Sequence, residues 1–256
     1  MYKSIFDEVS DIFIDMDSIL MNYNNNFNHI FNSLENNLNT FDSLKKEKKF
    51  SFLLESSYLI RGLLDYNYRK ENNLTHYLID KAVDINLDIY SSNFSKIDFK
   101  LDELKNSLKL EKILNYEIKN SFDSITWLSY HPRYTQNTLN NILEYKEREG
   151  ITDILFISLA NGSISVGIDL YLKYINETKT QESIFYPVLF SNNKLSMKKP
   201  NLNNKEKEKL INYSKNKQII IFDEDISSGN TMSIAKDYFK SILKNEKIIT
   251  FANLDY

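Results

Sequence analysis

Residues 219–232 read IIIFDEDISSGNTM. An apolar run enters three consecutive carboxylates, Asp223, Glu224 and Asp225. The small residues Ser227, Ser228, Gly229, Asn230 and Thr231 then lead into a helix N-terminus. The second half of this string suits a phosphate: small residues let backbone N–H groups approach, hydroxyls donate, and the helix dipole favours an anion. The first half repels a phosphate and suits hydroxyls or a bound cation. One ligand satisfies both halves if it carries a phosphate at one end and hydroxyls at the other. A phosphorylated sugar has that form.

Two more loops belong with this one. The turn Ala160-Asn161-Gly162-Ser163 follows the apolar run 154–159. Residues 191–203 carry Lys194, Lys198 and Lys199 ahead of Pro200. A lysine-rich loop alone reads as a solvated surface. The segment 127–134, WLSYHPRY, holds the only tryptophan, two tyrosines, a histidine and one of the four arginines. Its plain reading is a hinge that packs against both halves of the chain. The sharper reading sets Arg133 on a phosphate and stacks Tyr134 or Tyr130 on a base, because a guanidinium fork suits phosphate and aromatic faces suit bases.

The elements that must position these residues alternate. A helix is expected over 136–149, with Thr135 as its N-cap and Gly150 ending it. Strands are expected over 154–159, 183–190, 218–222 and 247–252, separated by helices over 164–176, 204–215 and 231–243. Short apolar strands alternating with helices predict an α/β fold with a doubly wound, mainly parallel sheet. The loops at 160–163 and 223–229 then fall at strand carboxyl ends, where such sheets bind ligands.

The string 219–232 resembles the phosphoribosyl-pyrophosphate (PRPP) signature of the type I phosphoribosyltransferases: four apolar residues, two acidic residues, two variable positions and a Thr/Ser-Thr/Ser-Gly-x-Thr loop. The resemblance spans about residues 130–256 and implies a sheet of the phosphoribosyltransferase type. It implies that Asp223 and Glu224 accept the ribose hydroxyls and that Ser227, Ser228, Gly229, Asn230 and Thr231 cradle the 5′-phosphate. Ala160, Asn161, Gly162 and Ser163 would contact pyrophosphate, with Lys198 and Lys199 closing over it. Arg133 and Tyr134 remain candidates for a phosphate or a base. Mg²⁺ would be held mainly by the ligand, near Asp223 and Glu224. The implied activity is Mg²⁺-dependent transfer of the 5-phosphoribosyl group to a nitrogenous acceptor, in nucleotide metabolism, by a homodimer. Three positions depart from the family. Asn161 stands where a basic residue is usual. Ser227 replaces the aspartate of the 6-oxopurine enzymes and is a poor general base, which disfavours hypoxanthine or guanine. Asp225 stands where an apolar residue is usual. The neutral Asn161 supports an alternative, a module that senses PRPP or a nucleotide without transferring anything. A dinucleotide-binding domain is disfavoured, because Gly162 and Gly167 do not complete a G-x-G-x-x-G.

The first half of the chain carries no legible chemistry. The 256 residues include 5 glycines and 3 prolines, where average usage would give roughly 18 and 13. Residues 1–131 hold only Gly62 and no proline, so this half is expected to be an all-helical domain, 1–125, preceding the phosphoribosyltransferase-like domain 126–256. An apolar stripe at helical spacing runs over 5–44, with a break or kink expected at the asparagine cluster 22–28. Further helices are expected over 49–68, 74–92 and 100–122. This half is a candidate hood over the acceptor or a dimer surface. Zero cysteines exclude disulfides and thiolate metal sites. The net charge of −3 gives no general attraction to nucleic acid. No apolar run reaches membrane-spanning length, and the acidic start of the chain does not read as a signal peptide. A soluble, cytoplasmic protein with small-molecule partners is the expectation.

Overall fold

Apolar stripes in the first half and apolar runs in the second give two different kinds of packing. The computed structural model describes residues 4–8, 25–70, 76–118, 127–150, 152–160, 162–191, 196–226, 229–245 and 247–255. They divide between two units, Lys3–Ile125 and Thr126–Tyr256.

In the N-terminal unit a single turn, α1 (Ile5–Glu8), and a two-residue strand, β1 (Asn25–Asn26), precede four helices. These are α2 (Phe27–Leu38), α3 (Lys46–Lys70), α4 (His76–Tyr90) and α5 (Ile97–Leu110), and β2 (Glu117–Ile118) pairs antiparallel with β1. The unit is therefore predominantly helical but not all-helical. Residues 9–24 of the expected long helix lie outside the described residues. At the asparagine cluster the break is resolved: the Asn26 side chain accepts from the His29 N–H at 2.9 Å and starts a new helix. The helix expected over 100–122 stops at Leu110. Lys112 takes a left-handed φ of 59°, and the Ile113 N–H donates back to the Leu108 carbonyl at 2.9 Å, which turns the chain toward β2. Phe27, Phe31, Leu34, Leu53, Leu59, Leu63, Ile79 and Leu104 form the buried core. Gly62 serves packing rather than a turn: a Cβ there would stand 2.6 Å from Ile118 Cδ1 and 2.7 Å from Phe27 Cζ.

The C-terminal unit runs α6 (Trp127–Tyr130), α7 (Pro132–Glu149), β3 (Ile154–Ala160), α8 (Ser163–Thr178) and β4 (Ile184–Leu189). It continues with α9 (Asn204–Tyr213), β5 (Gln218–Ile226), α10 (Asn230–Leu243) and β6 (Ile248–Asp255). The strands form one all-parallel sheet in the order β4-β3-β5-β6. Every residue of β3 is buried, as a central parallel strand requires. Helices cover both faces: Phe185 of β4 packs on Tyr171 of α8, and the next residue, Tyr186, meets Tyr213 of α9 on the other side. The α7 helix begins earlier than expected. Pro132 occupies its first turn and His131 caps it, with Nδ1 accepting from the Arg133 N–H at 3.1 Å. Thr135 thus lies inside the helix, while Gly150, at φ 66°, ends it. From β3 the chain winds outward to β4 and then crosses back to β5, so the winding reverses between β3 and β5. Such a reversal leaves a crevice at the strand carboxyl ends.

Candidate functional site

The acidic triplet lies on a strand rather than in a loop. β5 continues to Ile226, paired with β6 through Asp223↔Ala252, Asp225↔Leu254 and Ile226↔Asp255. Its pairing with β3 ends at Ser158↔Phe222. From Asp223 onward β5 is therefore held on the β6 side, and the crevice opens on the β3 side. The strand expected over 218–222 therefore continues four residues further, because pairing with β6 holds carboxylates that have poor strand propensity.

Side chains alternate along β5, and Phe222 faces α8, its Cδ1 3.3 Å from where a Cβ on Gly167 would lie. Glu224 follows Phe222 onto that face and reaches Gly162, the N-cap of α8. A Cβ on Gly162 would stand 1.8 Å from Glu224 Oε1 and 2.4 Å from Cδ. Gly162 has an ordinary helical backbone, φ −64° and ψ −36°, so the missing side chain, not a special conformation, makes room for the carboxylate. The negative charge lies against a positive helix end. Asp223 Oδ1 accepts from the Glu224 N–H at 3.0 Å. Asp223 is only partly covered as a residue, yet its carboxyl lies deep. Burial pushes that carboxyl well above the usual carboxylate range, reinforced by the charge of Glu224, a side-chain hydrogen bond with it, and the charge of Asp225. Asp223 therefore keeps its proton to higher pH than a solvated carboxylate does.

The turn before α8 is braced from several sides. The Ser163 side chain is fully buried, its Oγ donating to the Leu159 carbonyl and lying 2.8 Å from Ser158 Oγ. Ser163 therefore offers a ligand its backbone N–H and not its hydroxyl. The Ala160 carbonyl accepts from the Phe190 N–H at 3.3 Å, and the Ala160 side chain is buried. Asn161 lies outside the described residues. Tyr130, expected as a base-stacking candidate, is buried instead, and its hydroxyl donates to the Gly162 carbonyl at 2.6 Å. Arg133 is exposed and Tyr134 half-buried in the first turn of α7. Asn253 ties the α6–α7 corner to β6: its Nδ2 donates to the Ser129 carbonyl at 2.6 Å and to Thr135 Oγ1 at 3.1 Å. Thr138 Oγ1 donates to Asn253 Oδ1 at 2.8 Å. The strand register sets Asn253 across from Glu224.

Beyond β5, Ser227 and Ser228 lie outside the described residues. Gly229 takes φ 70° as the N-cap of α10, and Asn230 and Thr231 form the first turn. This conformation is left-handed, and glycine adopts it without strain. Across the sheet edge, Lys198 and Lys199 are exposed between buried Met197 and buried Pro200, so they stand on an anchored stretch. The Asn201 N–H donates to the Leu189 carbonyl at 2.9 Å, and Asn203 with Glu206 forms a capping box at the start of α9. Lys194 lies outside the described residues. Among the described residues no group of three or more His, Cys, Asp or Glu side chains is arranged to hold a metal, and no helix is long and apolar enough to cross a membrane.

The sequence reading missed the structural roles of Tyr130 and Asn253. Tyr130 carries a visible signal in the aromatic cluster at 127–134; Asn253 carries none, because its partners lie more than a hundred residues away. No family model, curated protein or solved structure matches the chain.

Proposed function

We propose that the C-terminal unit, with a sheet of the phosphoribosyltransferase type, binds PRPP and transfers its phosphoribosyl group to a nitrogenous acceptor, a nucleobase or related heterocycle. The observation that carries this reading is the meeting of Glu224 with Gly162 at the reversal between β3 and β5. It joins the carboxyl pair of β5 to the phosphate-suited turn before α8, so a single ligand can span both. Asp223 and Glu224 accept the ribose hydroxyls. Gly229, Asn230 and Thr231, with Ser227 and Ser228, hold the 5′-phosphate at the N-terminus of α10. The turn 160–163 and Lys198 or Lys199 take the pyrophosphate.

In the reaction the acceptor nitrogen bonds to C1 of the ribose as the C1–oxygen bond breaks, and pyrophosphate leaves with that electron pair. Positive charge develops on the ribose ring, and the carboxyl pair beneath it stabilises that charge. Mg²⁺, a hard cation suited to oxygen donors, would be held mainly by the ligand near Asp223 and Glu224 and would supply charge neutralisation for the leaving pyrophosphate.

PRPP sensing without transfer is the second reading. It is favoured by the turn 160–163, where residue 161 is neutral and the Ser163 hydroxyl is committed internally. Pyrophosphate release from PRPP and Mg²⁺ across a panel of bases separates the two: tight binding without release selects the sensor. The shared site is tested by thermal melting. At a hundredfold excess over Kd, PRPP stabilises the wild type by about 2.7 kcal/mol. Asp223→Ala with Glu224→Ala is expected to abolish that shift, and a double mutant stabilised like wild type sinks the assignment.

A further inference from the structure

Resting on the PRPP site proposed above, we propose that Tyr130 is a positioning residue: through the Gly162 carbonyl it fixes the backbone donor that meets pyrophosphate. The Tyr130 ring is buried and its hydroxyl donates to the Gly162 carbonyl at 2.6 Å. That carbonyl and the Ser163 N–H belong to one planar peptide and point in opposite directions, so fixing one fixes the other. As the N-cap carbonyl it also points along α8, which leaves the Ser163 N–H directed out of the helix end, where the first amide groups have no partner within the helix. The Ser163 side chain faces inward to Leu159 and Ser158, so this N–H is what Ser163 presents to a ligand.

The support for Tyr130 is itself fixed. Ser129, beside it, is held by Asn253, and Asn253 binds Thr135 and Thr138 in the first turns of α7. All four of these residues are buried. The clamp links β6, the α6–α7 corner and the turn before α8 through side-chain hydrogen bonds on one face of the sheet. Tyr130 thus transmits a fixed position rather than touching the ligand.

The position matters for one part of the ligand only. The turn 160–163 is assigned to pyrophosphate, whereas the loop before α10 is assigned to the 5′-phosphate. Tyr130→Phe keeps the ring and its packing and removes only the donor. The Gly162 carbonyl keeps its bond within α8, so the variant is expected to fold, with a melting temperature close to wild type. Calorimetry with Mg²⁺ and three probes tests the inference: PRPP, inorganic pyrophosphate and ribose 5-phosphate. Losing one such hydrogen bond corresponds to a factor of about 3–10. Tyr130→Phe is expected to weaken PRPP and pyrophosphate by that factor and to leave ribose 5-phosphate unchanged. A general loss of stability would weaken all three probes together, and that result overturns the positioning role, as does unchanged affinity for all three. Failure of the wild type to bind either PRPP or ribose 5-phosphate overturns the site itself, a distinct outcome read before the variant is made.

Discussion

Gly162→Ala is a substitution whose cost depends on one other side chain. The backbone at Gly162, φ −64° and ψ −36°, accepts alanine without strain. Alanine there should even stabilise the fold by about 0.4–1 kcal/mol, because the unfolded chain loses freedom. Against this stands Glu224, whose Oε1 and Cδ lie 1.8 Å and 2.4 Å from the new Cβ. The conflict is with the end of a side chain, so Glu224 swings away instead of the backbone moving. It then forfeits its place at the α8 N-terminus, about 0.3–1 kcal/mol, and its hydrogen bond with Asp223, about 0.5–1.5 kcal/mol. The net cost is about 1 kcal/mol.

The sign reverses once Glu224 is removed. In a Glu224→Ala background, Gly162→Ala meets no carboxylate and keeps only its effect on the unfolded chain. Urea unfolding of the wild type, both single variants and the double variant gives the coupling, expected at about 1–2 kcal/mol, within the range for residues in contact. Gly162→Ala should destabilise the wild type and stabilise the Glu224→Ala protein. Equal effects in both backgrounds would show that the carboxylate does not rest on Gly162, and would remove the observation that joins the carboxyl pair to the turn before α8.

The raised pKa of Asp223 sets a pH dependence with a definite sign. The native state keeps a proton that the unfolded chain releases at about pH 3.9, so this group's contribution to stability falls as pH rises from there through its folded value. Asp223→Asn removes that slope; parallel urea stability curves for wild type and variant between about pH 4 and 8 would refute the shift. Gly229→Ala tests backbone conformation alone, because nothing lies within 4 Å of its missing Cβ and its φ is 70°. It should cost about 1–2 kcal/mol in urea unfolding, with Gly229→Asn milder, since asparagine tolerates that region better; equal costs for the two would contradict the conformational explanation.

Elements of the C-terminal unit were legible where burial on both sides writes an unbroken apolar run, as in residues 154–160, or where a glycine ends a helix, as Gly150 does. Helix ends without glycine were read unevenly. Lys112, Lys179 and Lys244 all take left-handed φ, at 59°, 54° and 49°; the ends before Lys179 and Lys244 fall within two residues of those expected, whereas the helix before Lys112 stops well short of the expected residue 122. A cation near a helix C-terminus is favoured by the dipole, which offsets part of the strain. Scarcity of glycine therefore did not mean scarcity of turns, and β2 lies beyond such a lysine. At the site, residue types revealed the carboxyl pair and the glycines. Their mutual distance was not legible, because Gly162 and Glu224 are brought together by the sheet order. Tyr130 acts through one hydrogen bond and Asn253 through three, to residues distant in the sequence, which leave no periodic trace.

The extension of β5 also changes what the carboxylates can do. On a free loop, three adjacent acidic side chains relax apart into water, and their repulsion costs little. On a strand paired with β6 as far as Ile226, the backbone cannot follow. Burial of the Asp223 carboxyl, with the charge of Glu224 added to it, raises its pKa, and the retained proton records that cost. A ligand that supplies hydroxyl donors, or brings a cation, relieves that cost on binding. A bare phosphate does not, because it adds a further negative charge. On the proposed reading the site would discriminate by ligand chemistry: helix N-termini that attract any anion would be screened by a carboxyl pair that admits one bearing hydroxyls. On the proposed reading this preference selects a phosphorylated ribose over free phosphate. Its physical origin is the burial of the Asp223 carboxyl beside Glu224, on a strand whose backbone is fixed by β6.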